Sequence, residues 1–367
     1  MRILFLGEYS NVHWTLAEGL RALGHEVTVI SNGDFWKNYP RDIDLVRKPG
    51  FLGGIIYYIK ALALLPKLRG YDIVQLINPM FLELKAERIF FFYDYLRRHN
   101  KKVFLCAFGM DYYWAYTNAH QKPLRYSDFN IGSERRTDPI AMADYNDWVG
   151  TGKERLNKYI AEDCDAIISG LYEYDVTYRT AGFGSKTVFI PFPIVPCENP
   201  CTTITEKINL FIGISRSRSA YKGTDIMLRA AQRIAEKYPE RVELTVAEGV
   251  PFNEYKQMLN KADVILDQLY AYTPAMNALE AMNRGTILVG GGEEEQYDII
   301  NEKELRPIIN VLPTEESVYN ELERLILHGN IQQLKHDSVE YIRHHHDYIK
   351  VAKEYERVYA ALYSPRM

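Results

Sequence analysis

Cysteine is scarce in this sequence. The four present in 367 residues, Cys106, Cys164, Cys197 and Cys201, form no Cys-x-x-Cys pair and have no histidine partners at ligand spacing. That argues against a structural metal site and favours reduced thiols, as in a cytoplasmic protein. Positive charge is also short: 44 Lys and Arg against 48 Asp and Glu leave a formal net charge of −4. Without a basic field the chain is not expected to bind nucleic acid, although a local basic cluster can still hold one phosphate group. The first segment, Met1 to Gly7, carries one basic residue and an apolar run too short for a signal peptide or a membrane span. It reads as a buried first strand. A dinucleotide fingerprint is missing as well: the loop after that strand is Gly7-Glu8-Tyr9-Ser10-Asn11-Val12-His13, not Gly-x-Gly-x-x-Gly, which weakens a dehydrogenase reading.

What the sequence does have is length, with 47% hydrophobic residues. Single cores rarely grow past about 250–300 residues, so two domains are expected. Strand-like and helix-like patterns alternate throughout: strands at 3–6, 27–30, 72–77, 102–107, 166–169 and 187–190, then 208–212, 242–246, 264–266 and 287–289, with helical patterns between them. Such alternation predicts βαβ units and parallel sheets. The stretch Tyr112 to Trp148 breaks the rhythm and is expected to be a long connection. Pro191, Pro193, Pro196 and Pro200 mark an interdomain linker. The expected division is a Rossmann-like domain over 1–195, a second over 196–340, and a C-terminal helix over 341–367 that packs back on the first. The apolar run Phe51 to Arg69 is read first as a core helix flanked by Lys60 and Lys67, and second as a segment resting on a membrane surface. The 28 tyrosines and 15 phenylalanines exceed what a core needs and suit stacking on sugar rings.

Ligands of open α/β sheets bind beyond the carboxyl ends of the strands. In the first half those ends offer Ser10, Asn11 and His13, then Gln75 and Asn78, then Phe108-Gly109-Met110-Asp111. These polar groups are candidates for an acceptor hydroxyl, but Ser10, Asn11 or Asp111 would serve equally as a helix cap. In the second half the loop Gly213-Ile214-Ser215-Arg216-Ser217-Arg218-Ser219-Ala220-Tyr221-Lys222-Gly223-Thr224-Asp225 follows a strand and opens a helix. Unpaired amides and the helix dipole favour an anion there, and Arg216, Arg218 and Lys222 add cationic donors, so a diphosphate is the natural guest. Glu280, set among apolar helix formers, can pair with ribose hydroxyls or bridge to Arg284.

Gly24-His25-Glu26-Val27, Arg218, Lys222-Gly223-Thr224-Asp225, Ala262-Asp263, Asp267-Gln268-Leu269 and Glu280-Ala281-Met282 together resemble glycosyltransferase family 4 of the GT-B fold. The resemblance spans nearly the whole chain and is strongest from Gly213 to Gly285. It implies two Rossmann-like domains across a cleft and a retaining glycosyltransferase without a required metal or other cofactor. The donor would be a nucleoside diphosphate sugar, and the acceptor a carbohydrate or lipid-linked hydroxyl. Arg218 and Lys222 would hold the diphosphate and Glu280 the ribose, with Gly213, Arg216 and Tyr272 beside the donor and Asp111 at the reacting centre. Polysaccharide or glycoconjugate synthesis in the cytoplasm, at the inner face of a membrane, fits that chemistry. Two positions depart from the family. Tyr272 stands where the first of two glutamates is usual, and Phe108 where a histidine often precedes Gly-x-Asp. An epimerase of the same fold, or a nucleotide-sugar-binding protein without catalysis, therefore remains as an alternative.

Overall fold

The computed structural model describes residues 1–204 and 206–363. Runs such as Ile3 to Leu6 and Val103 to Ala107 are wholly buried, as strands covered on both faces must be. They belong to a seven-stranded parallel sheet built from β1 (Arg2–Leu6), β2 (Glu26–Ser31), β3 (Ile43–Asp44), β4 (Ile73–Leu76) and β5 (Lys102–Ala107). A short antiparallel ribbon, β6 (Asn130–Ile131) with β7 (Glu134–Arg135), intervenes before β8 (Ala166–Ser169) and β9 (Thr187–Phe189) complete that sheet. Its order is β3-β2-β1-β4-β5-β8-β9. The second sheet holds β10 (Ile208–Ile214), β11 (Val242–Glu248), β12 (Val264–Leu266), β13 (Ile287–Gly290) and β14 (Ile309–Asn310), all parallel, in the order β11-β10-β12-β13-β14. Two Rossmann-like halves result, as the alternating pattern predicts.

Three expectations need correction. The stretch after β5 is not one long connection: it contains the helices Tyr112–His120 and Pro139–Trp148, the second started by Asp138, whose side chain accepts the Ala141 amide. The apolar segment forms the helix Gly50–Ala63 but is no core helix, because only Gly53, Tyr57 and Ala61 are buried while Phe51 and Leu52 are 82% and 72% exposed. The single long C-terminal helix is two, Ile331–His345 and Tyr348–Tyr363. The first packs against β13 and the helix Met276–Asn283; the second lies on the helix Val12–Ala22 of the first half. Between them the Ile194 amide donates to the His346 carbonyl at 2.6 Å, and the Tyr348 amide to the Ile194 carbonyl at 3.0 Å.

The proline-rich connection is pinned as well. Ile190, Phe192 and Ile194 are buried, and Asn283 accepts the Cys197 amide (2.9 Å) while donating to the Val195 carbonyl (2.9 Å). Further contacts join the halves from the other side. Arg125 pairs with Glu293 at 2.8 Å and with Glu295, Tyr126 donates to Glu293, and Arg136 donates to the carbonyls of Ala220 and Tyr221 at 3.1 and 3.0 Å.

Within the second half, Lys335 reaches Asp263 at 2.6 Å, with side chains only 2% and 3% exposed. Asp263 also accepts the Asn209 amide at 3.0 Å, so the pair ties the helix Ile331–His345 to β10 and β12. Removing the lysine takes the buried carboxylate's ammonium partner away. Lys335→Met is expected to lower the unfolding free energy by about 3–5 kcal/mol in urea titrations, and adding Asp263→Asn should restore part of it. A loss below about 1 kcal/mol would mean that the carboxylate is not held in a low-dielectric site.

Candidate functional site

The loops at the carboxyl ends of β1, β5, β8, β10 and β12 meet in a cavity of about 350 Å³ between the halves. From the first half come Tyr9, Ser10, Phe108, Gly109, Asp128 and Glu173; from the second, Arg218, Lys222, Gln268, Tyr270 and Thr273. The cavity continues into an open groove of about 920 Å³ on the first half, which shares Tyr9, Ser10, Phe108 and Arg218 and adds Asn78, Arg47 and Lys153. Arg218 therefore borders both spaces.

The segment carrying the cations is not the open loop expected from the sequence: a 3-10 turn, Arg216–Arg218, leads into the short helix Ser219–Lys222, just ahead of the helix Thr224–Lys237. The turn between needs glycine: Gly223 has φ +74°, and a Cβ there would come within 2.6 Å of the Leu269 side chain. The guanidinium of Arg218 lies 5.3 Å from the Tyr221 ring centroid. Arg216, by contrast, is drawn away from the cavity by an ion pair with Glu248. Gly213 lies in β10 under the ring of Tyr255, 2.9 Å from where its Cβ would be, and does not line the cavity.

Glu280 stands on the helix Met276–Asn283, whose first turn reaches the cavity. It is half-buried, and makes no hydrogen bond or ion pair among the described residues, so the bridge to Arg284 is not formed. Burial raises its pKa; the charges of Arg284 and Lys256 oppose the shift. Tyr39 of the first half lies close enough to feel its charge.

Several candidates are taken up by the fold. Asp111 is fully buried and caps the helix Tyr112–His120, accepting the Trp114 amide at 2.7 Å and the Tyr178 hydroxyl at 2.6 Å. Burial lifts its pKa to about 6. His13 is stacked on Phe5, with Nδ1 2.8 Å from the Gly7 carbonyl and Nε2 3.1 Å from the Gln75 amide nitrogen. Gln75 in turn accepts the Tyr359 hydroxyl at 2.7 Å. Burial holds His13 neutral by lowering its pKa to about 3. The structure thus removes Asp111, His13 and Gln75 from the acceptor set, because their polar groups are spent inside. Tyr272 is buried too: its hydroxyl accepts the Arg125 amide at 2.7 Å and its ring packs on Tyr126 and Tyr172. It braces the seam and does not line the cavity. Asn11 ends the first loop, its side-chain nitrogen donating to the Thr15 hydroxyl at 3.2 Å and its Oδ1 buried without a partner among the described residues, and Asn78 lines the groove while joining the Met110 carbonyl and the Met80 amide. Ser10 remains at the cavity, its hydroxyl 3.2 Å from Lys37.

No protein-family model matches the chain, and no curated protein does. Solved structures do. Sucrose-phosphate synthase from Thermosynechococcus elongatus is similar over 99% of both chains, with a TM-score of 0.61 and 15% identity. Anabaena HepE in complex with UDP and glucose is similar over 98% of this chain and 100% of its own, with a TM-score of 0.61 and 11% identity. UDP-GlcNAc 2-epimerase from Neisseria meningitidis, bound to UDP-GlcNAc, covers the same shares with a TM-score of 0.55 and 12% identity. The fold is GT-B. At such identities the likeness is one of architecture.

The GT-B cleft also gathers residues that the sequence did not single out. Asp128, which receives the Trp114 indole N–H at 3.0 Å, and Glu173 come from segments without a recognisable motif. Glu8 belongs to the first loop, but its carboxylate is buried under the helix Val12–Ala22 and accepts the amides of His13 (3.2 Å) and Trp14 (2.9 Å). Burial nevertheless pushes its pKa from 4.5 to about 8. A carboxyl whose pKa is raised in the fold favours folding below the unfolded value and loses that contribution as pH climbs through the folded one. Glu8→Gln should therefore gain stability relative to wild type between pH 4.5 and about 8. The gain is at most several kcal/mol, at about 1.4 kcal/mol per pH unit. Melting temperatures of both proteins across that range check this, and parallel curves would show that Glu8 ionises freely.

Proposed function

We propose that the chain is a glycosyltransferase that moves a sugar from a nucleoside diphosphate sugar to a hydroxyl acceptor, with retention at the anomeric carbon, in polysaccharide or glycoconjugate synthesis. One observation carries the reading: Arg218 and Lys222, at the two ends of the short helix Ser219–Lys222, share a cavity of about 350 Å³ with loops of the opposite half. Two cations at one wall of the cavity suit a diphosphate, and the opening into the wider groove suits an acceptor. In this reading Arg218 and Lys222 neutralise the charge that grows as the bond between sugar and diphosphate breaks. Glu280, half-buried and without a hydrogen bond or ion pair among the described residues, accepts the ribose hydroxyls. Ser10 and Asn78 meet the acceptor. The neighbours bound to UDP, to glucose and to UDP-GlcNAc support a nucleotide sugar as the ligand.

The test is incubation with a panel of nucleotide sugars and acceptors followed by product analysis. A new glycoside supports the proposal. An altered nucleotide sugar without glycoside points to an epimerase, and a bound, unconsumed donor to a binding protein. Lys222→Ala should weaken a nucleoside diphosphate about ten- to a hundredfold, the cost of one charged hydrogen bond, and leave the free nucleoside nearly unaffected. Equal weakening of both in calorimetric titrations would take Lys222 away from the diphosphate.

A lipid-linked acceptor would meet the enzyme at the inner face of a membrane, and we propose the helix Gly50–Ala63 as the contact. No helix among the described residues is long and apolar enough to cross a membrane. This one exposes Phe51, Leu52, Ile56 and Ile59 beside the exposed cations Lys48, Lys60 and Lys67. Arg47, just before it, lines the wide groove. An apolar face bordered by cations suits an anionic lipid surface. The wild type should sediment with vesicles containing phosphatidylglycerol and release them when Phe51 and Leu52 are both changed to Ser. Equal sedimentation of the two proteins would remove this contact.

A further inference from the structure

Glu173 stands on the short helix Tyr172–Tyr178 of the first half, yet its partners belong to the second. It is 5% exposed. Oε1 accepts two amides, from Tyr272 at 2.6 Å and Thr273 at 2.9 Å, while Oε2 is buried with no hydrogen-bond partner among the described residues. Burial raises the carboxyl's pKa, and the surrounding amides and the Thr273 hydroxyl oppose the shift. An unpartnered carboxylate oxygen in the interior costs free energy unless a donor arrives. Glu173 lines the same cavity as Arg218 and Lys222, so this one space has cations and an unfilled acceptor. A ligand matched to both carries negative charge on one part and hydroxyl groups on another.

We infer that Glu173 holds the sugar part of the donor, its Oε2 accepting a sugar hydroxyl. The inference rests on the donor reading proposed above. It also gives the tyrosine at position 272 a consequence. The side chain there faces the seam and offers the cavity no carboxylate, and Glu173 sits against that residue's backbone and brings one from the other half. The contact spans two domains: the amides that fix the carboxylate come from the loop after β12, and the carboxylate itself from the helix after β8. Sugar recognition then requires both halves to be in place. Tyr172 strengthens the same junction, its amide donating to the Thr273 hydroxyl at 3.2 Å.

Glu173→Gln tests this without dismantling the junction, because the amide oxygen of Gln can still accept both backbone N–H groups while its nitrogen replaces the free acceptor. The probes are UDP with UDP-glucose and GDP with GDP-mannose, titrated calorimetrically against wild type and variant. For the pair that the wild type binds, the nucleoside diphosphate should bind both proteins alike. The nucleotide sugar should bind the variant roughly tenfold or more weakly, as expected for loss of a charged hydrogen bond. Unchanged affinity for the nucleotide sugar would overturn the inference. So would an equal loss for both members of the pair, which would make Glu173 a brace for the 272–273 loop only; Glu173→Ala, which removes that brace outright, shows what such a loss looks like. A wild type that binds neither pair, nor any other nucleotide sugar of the panel used for product analysis, would overturn the donor reading itself, a result distinct from either.

Discussion

A parallel sheet must be covered on both faces, and the first sheet of this protein gets part of its cover from the far end of the chain. The helix Tyr348–Tyr363 returns to lie on the helix Val12–Ala22, so closely that a Cβ on Gly19 would come within 2.5 Å of the Tyr348 carbonyl oxygen. From there Tyr359 reaches Gln75 at the end of β4, Gln75 reaches His13, and His13 reaches the Gly7 carbonyl at the end of β1. One buried chain of hydrogen bonds thus links the last helix to two of the strand ends from which the cleft is built. With the connection at Ile194 beside it, this crossing sets how the carboxyl edges of the two sheets face each other.

The cleft that results is polar in a graded way. Its second-half side carries Arg218 and Lys222; its first-half side carries aromatic walls and two carboxyls whose negative charge burial disfavours, Asp128 and Glu173. Neutral His13 adds no charge behind that wall. A chain acidic overall can therefore still offer an anion a local welcome, because burial works against the negative charge of the neighbouring carboxyls.

Much of this was legible in the residues. The strands at 102–107, 166–169 and 264–266 follow the sequence pattern to the residue, since each is a short, largely apolar run. The loop from Arg216 to Lys222 announced itself through cations placed ahead of a helix. The helix Tyr112–His120 was hidden because it is buried nearly all round, leaving no polar face to create a period. The break at His346 has no proline or glycine to mark it: it is imposed by Phe192 and Ile194, more than 150 residues away. Glu173 was invisible for a related reason. In sequence it is one acidic residue at the start of a helix, and only the approach of the second half gives it two amides and a cavity.

Arg136 has a consequence of its own. Rooted in the first half, it holds the carbonyls of Ala220 and Tyr221, the residues between Arg218 and Lys222 in the second, with its guanidinium 4.1 Å from the Tyr270 ring centroid. The loop that presents the cations is thus shaped partly by a residue of the opposite domain. Loop conformation and interdomain angle are then thermodynamically linked variables. An anion that prefers one shape of the loop must bias the angle, and a ligand that biases the angle from the groove must alter the loop's hold on the anion by the same free energy.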